Sequence, residues 1–469
     1  MAYLSRRHFL TGIGAASFAG SVGALTNLGV NRAWAANASG YKAMVCIYLY
    51  GGMDGMDTIL PYDQASHAQL QSVRGNLLGS VRSSRQIENL LKLNPENAAS
   101  IEGREFGMPQ ELSALHGMFE SGELALLGNV GALVEPVTRT QIENGTAILP
   151  PRLGSHNDHS SLWQSFGVEG RKRGWGGLFM DRVVSAVPSH SNVFGTIATH
   201  NTDVFLSGEE VTQFKLGVNG VEEAKLYADG RALGDSEARD PARERIRAFM
   251  TDRDLRSENV LEQDIAALQS GAIRNSERFQ LAQSLQTPLM THFSGDHLSQ
   301  QMRAVAQTIQ IRNALDVSRQ IFFVTLRGFD SHSNQSGLLP DLHRQISDAV
   351  SSFRSAMIEL GEWNNVVMFS ASEFGRSTVE NGSGTDHGWG GHHFIAGGDV
   401  NGKRIYGNLP VADINSERFT VHRARMIPET SVEQYAATLG SWFGLDNAEL
   451  RATLPNLANF ELQNLGFMH

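Results

Sequence analysis

Residues 43–58 of the 469-residue chain read AMVCIYLYGGMDGMDT, an apolar run that ends in a glycine turn and an aspartate. A short apolar run bounded by glycine predicts a buried strand of a parallel sheet. Similar runs at residues 124–130, 321–326 and 366–370 are each followed by glycine or a polar loop. Because helical patterns such as Ser431–Phe443 lie between such runs, the sequence predicts a doubly wound α/β fold. Its sheet is mostly parallel, has helices on both faces, and binds ligands beyond the carboxyl ends of the strands.

A second helical pattern, Leu342–Leu360, fits the same alternation of strands and helices. The segment at about 239–313 interrupts this alternation with helical patterns alone. Asp240-Pro241 is a typical helix start. Leu298, Met302, Val305 and Ile309 then follow helical spacing. We interpret this segment as a helical insertion that packs over the sheet edge or the site, within one α/β domain spanning residues 36–469.

The N-terminus carries a twin-arginine pattern, SRRHFL at residues 5–10, followed by an apolar stretch rich in glycine and alanine. Ala33-Trp34-Ala35 has the small-x-small geometry of a signal-peptidase site, so we expect residues 1–35 to be removed. The glycines and hydroxyl residues make the stretch too weakly hydrophobic for a membrane anchor. The sequence therefore predicts recognition by the twin-arginine export machinery, a periplasmic or secreted location, and no stable membrane span in the mature protein.

The net charge and the cysteine content argue against a nucleic-acid-binding protein and against a fold held by disulfides. Removing residues 1–35 takes away three arginines and no acid, so the formal charge moves from −10 to −13. A surface this acidic argues against nucleic acid as a partner. Cys46 is the single cysteine, which excludes an intramolecular disulfide, and its apolar surroundings predict a core residue.

Acids and histidines follow two of the predicted strands. Asp54 lies in the glycine turn after the first strand, where it is either a hard oxygen ligand or part of an ordinary Asp-Gly turn. Asp330 and His332 lie in GFDSHSNQ, residues 328–335, where two side chains spaced two apart face the same side of an extended loop. The alternative is a capping aspartate beside a solvated histidine.

Glu373 and Arg376 follow the strand at 366–370, in the sequence SEFGR. The carboxylate is a candidate metal ligand, and the guanidinium is a candidate clamp for an anionic group. A buried ion pair between the two residues is the structural alternative.

The densest cluster is GTDHGWGGHH, residues 384–393, which contains Asp386, His387 and two further histidines. Neutral imidazoles are ready ligands for transition metals, so this loop predicts a metal-binding or catalytic role for at least one histidine. In another segment, Ser155 precedes a helical pattern. Its hydroxyl either caps that helix or acts as a nucleophile near the helix dipole.

Five of these features recur together in one order: the leader, GGMDGMDT, FDSH, SEFGR and GTDHG. With these five features, the chain resembles the domain of unknown function family 1501 over roughly residues 42–445. This family is a branch of the alkaline phosphatase and sulfatase superfamily. The resemblance implies an exported, metal-dependent hydrolase of phosphate or sulfate esters. It maps metal ligands onto Asp54, Asp330, His332 and His387, and the nucleophile onto Ser155.

Two departures from the superfamily pattern alter these expectations. The Asp-x-x-x-His spacing is shortened to Asp330-Ser331-His332, and the later Asp-His pair is replaced by Glu373-Phe374. Phenylalanine cannot bind a metal, so one or two ions (Zn, Mg, Mn or Ca) with carboxylate-rich ligands are expected, Asp386 among them. Two alternatives stay open: a non-catalytic binding or assembly protein of the cell envelope, and a metal-dependent mutase.

Overall fold

The computed structural model describes residues 40–78, 83–186, 193–200, 203–221 and 260–469. The predicted signal peptide and the predicted helix start at Asp240-Pro241 lie outside these residues. The described strands are β1 (Lys42–Tyr50), β2 (Leu60–Pro61), β3 (Leu91–Lys92), β4 (Phe106–Met108), β5 (Leu124–Gly131), β6 (Thr196–Ala198), β7 (Phe214–Lys215), β8 (Arg319–Arg327), β9 (Val366–Ala371), β10 (Arg376–Glu380), β11 (Thr385–His387), β12 (Gly391–Gly397), β13 (Ile405–Gly407) and β14 (Thr430–Ser431).

Helices occupy much of the remaining described chain. They are α1 (Gly55–Thr58), α2 (Gln64–Val73), α3 (Gly75–Leu78), α4 (Ser113–Glu120), α5 (Arg139–Glu143), α6 (His156–Ser165), α7 (Trp175–Ala186), α8 (Val260–Gln283), α9 (His297–Gln310), α10 (Arg312–Leu315), α11 (Gln335–Glu359), α12 (Val432–Phe443) and α13 (Asn447–Thr453).

The main sheet has the strand order β13-β5-β12-β9-β1-β8-β6-β7, with β14 beside β5. Strand β1 lies at its centre and pairs in parallel with both β8 and β9. Within the described part of this sheet, β12 alone runs antiparallel to its neighbours β5 and β9. The predicted α/β fold with a mostly parallel sheet is therefore confirmed, and the four predicted strands are β1, β5, β8 and β9.

Both faces of the sheet are covered by helices, which explains the continuous apolar character of β1. Val45, Ile47 and Leu49 belong to a core with α9 and α11. Cys46 and Tyr48 belong to a core on the other face with α7 and α12. The Cys46 side chain is buried, as predicted, and burial raises the pKa of its thiol.

The described part of the predicted insertion is helical. Leu298, Met302, Val305 and Ile309 lie on α9 and are fully buried. Helix α9 packs against α11 and β8, so this part of the segment belongs to the core of the domain. None of the described helices combines the length and the apolar character needed to cross a membrane.

Candidate metal centre

The candidate site lies where β9, β1 and β8 end side by side. Tyr50 and Arg327 are paired at the ends of β1 and β8, and the Phe329 amide donates to the Tyr50 carbonyl over 3.1 Å. Gly51 follows with φ of +116°, and a Cβ atom there would lie 2.1 Å from the Asp330 nitrogen. Only glycine permits both this backbone and this close approach, which brings the loop carrying Asp330 against the turn after β1.

The Asp330 carboxylate is the centre of a cluster with three imidazoles. Its Oδ1 atom lies 3.0 Å from His332 Nε2 and 3.2 Å from His387 Nε2. Its Oδ2 atom lies 3.4 Å from His156 Nε2. The ligand atoms of His156, Asp330 and His387 all lie within 4.8 Å of one another. Three possible metal donors therefore converge at one point on the surface, and His332 contacts the same Asp330 carboxylate.

Each imidazole is held from behind, through its Nδ1 atom, by an oxygen. A carbonyl or an ionised carboxylate can only accept a hydrogen bond, so each neutral ring carries its proton on Nδ1 and keeps a lone pair on Nε2. A metal-binding histidine is usually oriented in this way. The three contacts are His387 to the Gly154 carbonyl at 2.9 Å, His156 to Glu373 Oε1 at 3.0 Å, and His332 to Asp386 Oδ1 at 3.2 Å.

This donor set fits a divalent metal ion. The Nε2 atoms of His332 and His387 are 2.9 Å apart, and both also face the Asp330 carboxylate. Lone pairs and a carboxylate so close together require a cation or an extra proton between them. Imidazole and carboxylate are ligands that zinc and other first-row metals accept.

The local electrostatics act differently on the members of the cluster. Burial raises the pKa of the Asp330 carboxyl, but the Arg376 guanidinium and neighbouring imidazoles outweigh it, so the net shift is downward. Burial lowers the pKa of His387, which favours its neutral, metal-binding form. The hydrogen bond to Glu373 raises the pKa of His156, so that ring binds protons more readily.

Glu373 and Asp386, two predicted ligands, lie behind the imidazoles. Glu373 is buried, and its Oε1 atom accepts from the Gly51 amide at 2.8 Å as well as from His156. Asp386 accepts from His332 and pairs with Arg423 over 2.7 Å. In this structure, both carboxylates orient histidines and do not themselves converge on the cluster.

Arg376, the predicted anion clamp, is fully buried. It donates to the Gly51 carbonyl at 2.7 Å, to Asp330 Oδ1 at 2.8 Å and to both oxygens of Thr385. The alternative considered from the sequence, an ion pair with Glu373, is not formed, and Arg376 pairs with Asp330 instead. With its guanidinium so engaged, Arg376 positions Asp330.

Asp54 is buried beside the cluster, in a separate network. Its Oδ2 atom accepts from Arg74 Nη1 at 2.7 Å and from Gln335 Nε2 at 2.6 Å, and its Oδ1 atom accepts from the Met56 amide at 3.1 Å. Both members of the ion pair with Arg74 are at most 1% exposed. These bonds occupy the carboxylate as it stands, so the structure does not bring Asp54 together with the three imidazoles.

Ser155 is the N-cap of helix α6, and its hydroxyl accepts from the Asp158 amide at 3.5 Å. The cap orients the first turn of the helix so that the next residue, His156, faces Asp330. His156 was not among the site residues predicted from the sequence. Its position directly after a candidate cap in a histidine-containing loop is the signal that could have identified it.

Phe374 forms an apolar wall of the site. Its ring stacks on His387 with centroids 4.7 Å apart and packs against His156 at 5.0 Å. The other two histidines of the glycine-rich loop, His392 and His393, lie on β12 in the core. Only His387 from that loop joins the cluster.

A cleft of about 400 Å³ opens beside the cluster. Its walls come from the ends of β1 and β8, the first two turns of α6, and the loop after β9. The lining residues are Tyr50, Gly51, His156, Asn157, Ser160, Arg327, Gly328, Asp330 and Glu373.

Comparison with known proteins places the chain in a family. The family model described as "Protein of unknown function (DUF1501)" matches residues 41–454. The chain belongs to the DUF1501 family. This confirms the family predicted from the five motifs. No curated protein matches the chain by sequence.

Similar solved structures carry the names of sulfatases, a phosphonate monoester hydrolase and an alkaline phosphatase. The PsFucS1 sulfatase from Pseudoalteromonas sp. is 9% identical, with 92% of this chain and 74% of that chain covered and a TM-score of 0.34. The phosphonate monoester hydrolase SpPMH from Silicibacter pomeroyi is 7% identical, with 86% and 74% covered and a TM-score of 0.33. The alkaline phosphatase from the Antarctic bacterium TAB5 is 13% identical, with 76% and 91% covered and a TM-score of 0.27.

Proposed function

We propose that this DUF1501 protein is an exported, metal-dependent hydrolase of phosphate or sulfate esters. The observation that carries the proposal is the convergence of three Nε2 lone pairs on the Asp330 carboxylate. Each imidazole is also oriented by an oxygen that contacts its Nδ1 atom, as is usual for metal-binding histidines. Asp330, His156, His332 and His387 would hold the ion, and it would supply a Lewis acid that activates water and neutralises negative charge.

Charge supports an anionic substrate. Asp330, Glu373 and Asp386 carry three formal negative charges, against two positive charges on Arg376 and Arg423, which pair with Asp330 and Asp386 respectively. The site therefore has one excess negative charge without an ion and one excess positive charge with a divalent ion. A cationic, half-exposed cluster next to a cleft suits a phosphoryl or sulfuryl group.

The protein residues would divide the remaining work. Arg376 and Glu373 would hold Asp330 and His156 in place through buried hydrogen bonds. Phe374 would exclude water from one side of the cluster. Ser155 caps helix α6 in this structure, and we propose water as the attacking group.

The proposal is tested by assaying the mature protein on 4-nitrophenyl phosphate and 4-nitrophenyl sulfate after EDTA treatment and reloading with individual divalent ions. Asp330→Asn should abolish ion-dependent turnover, while Asp341→Asn, an exposed aspartate of α11, should leave it unchanged. Absence of turnover with every ion and both esters, in protein shown to be folded, would contradict the proposal.

One observation favours the second candidate, a non-catalytic binding protein of the cell envelope. Phe374 occupies the position where the superfamily pattern has an imidazole, and Ser155 is engaged as a cap. A protein that binds metal through the cluster but hydrolyses neither ester would fit this candidate.

Export through the twin-arginine pathway is the remaining part of the proposal, supported by the residues before position 36 and by the absence of a disulfide. It is tested by fusing residues 1–40 to a reporter and replacing Arg6 and Arg7 by lysine. Loss of export in the variant is expected, whereas export that survives the double replacement would contradict the assignment.

A further inference from the structure

The cleft beside the metal cluster contains a cation that the proposed chemistry does not use. Arg327 is the last residue of β8, is exposed, and lines the cleft with Asp330 and His156. Among the described residues, no carboxylate forms an ion pair with it. Its guanidinium carbon lies 4.5 Å from the centroid of the Tyr50 ring.

The ring beneath Arg327 is a fixed platform. Tyr50 is paired with Arg327 at the ends of β1 and β8, and its hydroxyl donates to Asp203 Oδ2. Its ring also packs against Tyr48 with centroids 4.6 Å apart. An arginine held over an aromatic ring loses less side-chain freedom when it binds a ligand, and its planar fork suits carboxylate, sulfate and phosphate groups.

A second donor lines the same cleft. The Ser160 hydroxyl accepts hydrogen bonds from the Tyr48 hydroxyl at 3.1 Å and from Gln164 Nε2 at 3.0 Å. These two bonds use both lone pairs of the oxygen, so its own proton is left for an acceptor in the cleft. Ser160 lies four residues after His156 on α6, on the same face of the helix.

We propose that Arg327 and Ser160 recognise a second anionic group on the substrate, separate from the ester group at the metal cluster. The inference rests on the proposed function for the position of the cleaved group. The cluster already supplies charge for one anion, and among the described residues Arg327 forms no hydrogen bond or ion pair with Asp330, His332 or His387. The substrate class is therefore a phosphate or sulfate ester whose other part carries a carboxylate or a further sulfate or phosphate.

The test compares phenyl phosphate with 4-carboxyphenyl phosphate, which differ by one carboxylate. Their affinities are measured by calorimetry on the metal-loaded mature protein, with phenylphosphonate and 4-carboxyphenylphosphonate as the matching pair that cannot be hydrolysed at an ester bond, and kcat/KM is measured with the two esters. Wild type should prefer the carboxylated compound by about tenfold in both. Arg327→Met should remove the preference and leave the values for phenyl phosphate unchanged. Arg344→Met, an exposed arginine of α11 paired with Asp341, is the matched control.

Three results would overturn the inference: no preference in wild type, a preference that survives Arg327→Met, or an equal loss for both esters in that variant. The last result would place Arg327 at the cleaved group. If wild type shows an Arg327-dependent preference in calorimetry but hydrolyses neither ester with any ion, the proposed function fails and the second anion site stands.

Discussion

Each imidazole of the cluster depends on the oxygen behind its Nδ1 atom. Glu373 is the most constrained of these, since it is buried and also accepts from the Gly51 amide. Glu373→Gln keeps an acceptor for His156 and removes the charge that favours a basic Nε2. We expect the metal affinity to fall by about 10- to 100-fold, measured by competition with a fluorescent chelator.

Glu380→Gln is the matched control for this prediction. Glu380 is a carboxylate at the end of β10 that accepts from the Asn76 amide, outside the cluster. An unchanged affinity in Glu373→Gln, or an equal loss in the control, would show that the Glu373–His156 contact does not orient a ligand.

Replacing Asp54 distinguishes a role in stabilising the fold from a role as a metal ligand. As the partner of the buried Arg74, it stabilises the fold, because an unpaired buried charge costs about 3–5 kcal/mol. Asp54→Asn should therefore lower the free energy of unfolding by roughly that amount and leave the metal content of the folded protein unchanged. Urea unfolding and metal analysis measure the two quantities. Lost metal with unchanged stability would instead make Asp54 a ligand, as the motif resemblance implies.

At the scale of elements, the turn after β1 sets the spacing of the site. Gly51→Ala would place a Cβ atom 2.1 Å from the Asp330 nitrogen and demand a positive φ that alanine disfavours. We expect this variant to lose metal binding and several kelvin of melting temperature. Gly117→Ala, on α4 with open space around it, should be neutral or slightly stabilising. A Gly51→Ala protein with full metal content would show that the turn does not position Asp330.

Helix α11 shows where the sequence pattern misled. The helical pattern predicted from the sequence spans Leu342–Leu360. The helix begins at Gln335 and contains Pro340. Tertiary contacts outweigh local propensity here: the Gln335 side chain bonds to Asp54, Ser331 and Thr385, which ties the first turn to the site.

At the scale of the whole molecule, the fold was predictable and the site only in part. Strands that are buried on both faces appear in the sequence as continuous apolar runs, so β1, β5, β8 and β9 could be predicted without the structure. Asp330, His332 and His387, which were predicted as metal ligands, lie next to one another: the first two follow β8, and His387 lies on β11. What the sequence could not provide is which partner each polar group takes: Arg74 for Asp54, and Asp330 for Arg376.

Acid sensitivity is a whole-molecule prediction carried by the core histidines of β12. Burial lowers the pKa of His392 to about 4 and that of His393 to about 3. Between these values and about 6.5, the unfolded chain binds more protons than the folded one, so stability rises with pH through this window. The stability is present above about pH 6.5 and is lost as the pH falls below it.

Urea unfolding from pH 7.5 to 5, in EDTA to remove metal linkage, measures this slope. His393→Gln should reduce the slope by up to about 1.4 kcal/mol per pH unit, the value for one proton. His422→Gln, an exposed histidine, should leave it unchanged. A slope that is the same in wild type and His393→Gln would contradict the buried, neutral state of His393.

The central claim is that Asp330 and the imidazoles of His156 and His387 form a metal site, with His332 beside them. The most direct measurement is anomalous diffraction from crystals of the mature protein soaked in zinc, recorded on both sides of the zinc absorption edge. The account predicts a peak about 2.0–2.2 Å from the Nε2 atoms of His156 and His387 and from an oxygen of Asp330. No peak at this position, or a peak beside Asp54 with the cluster empty, would contradict it.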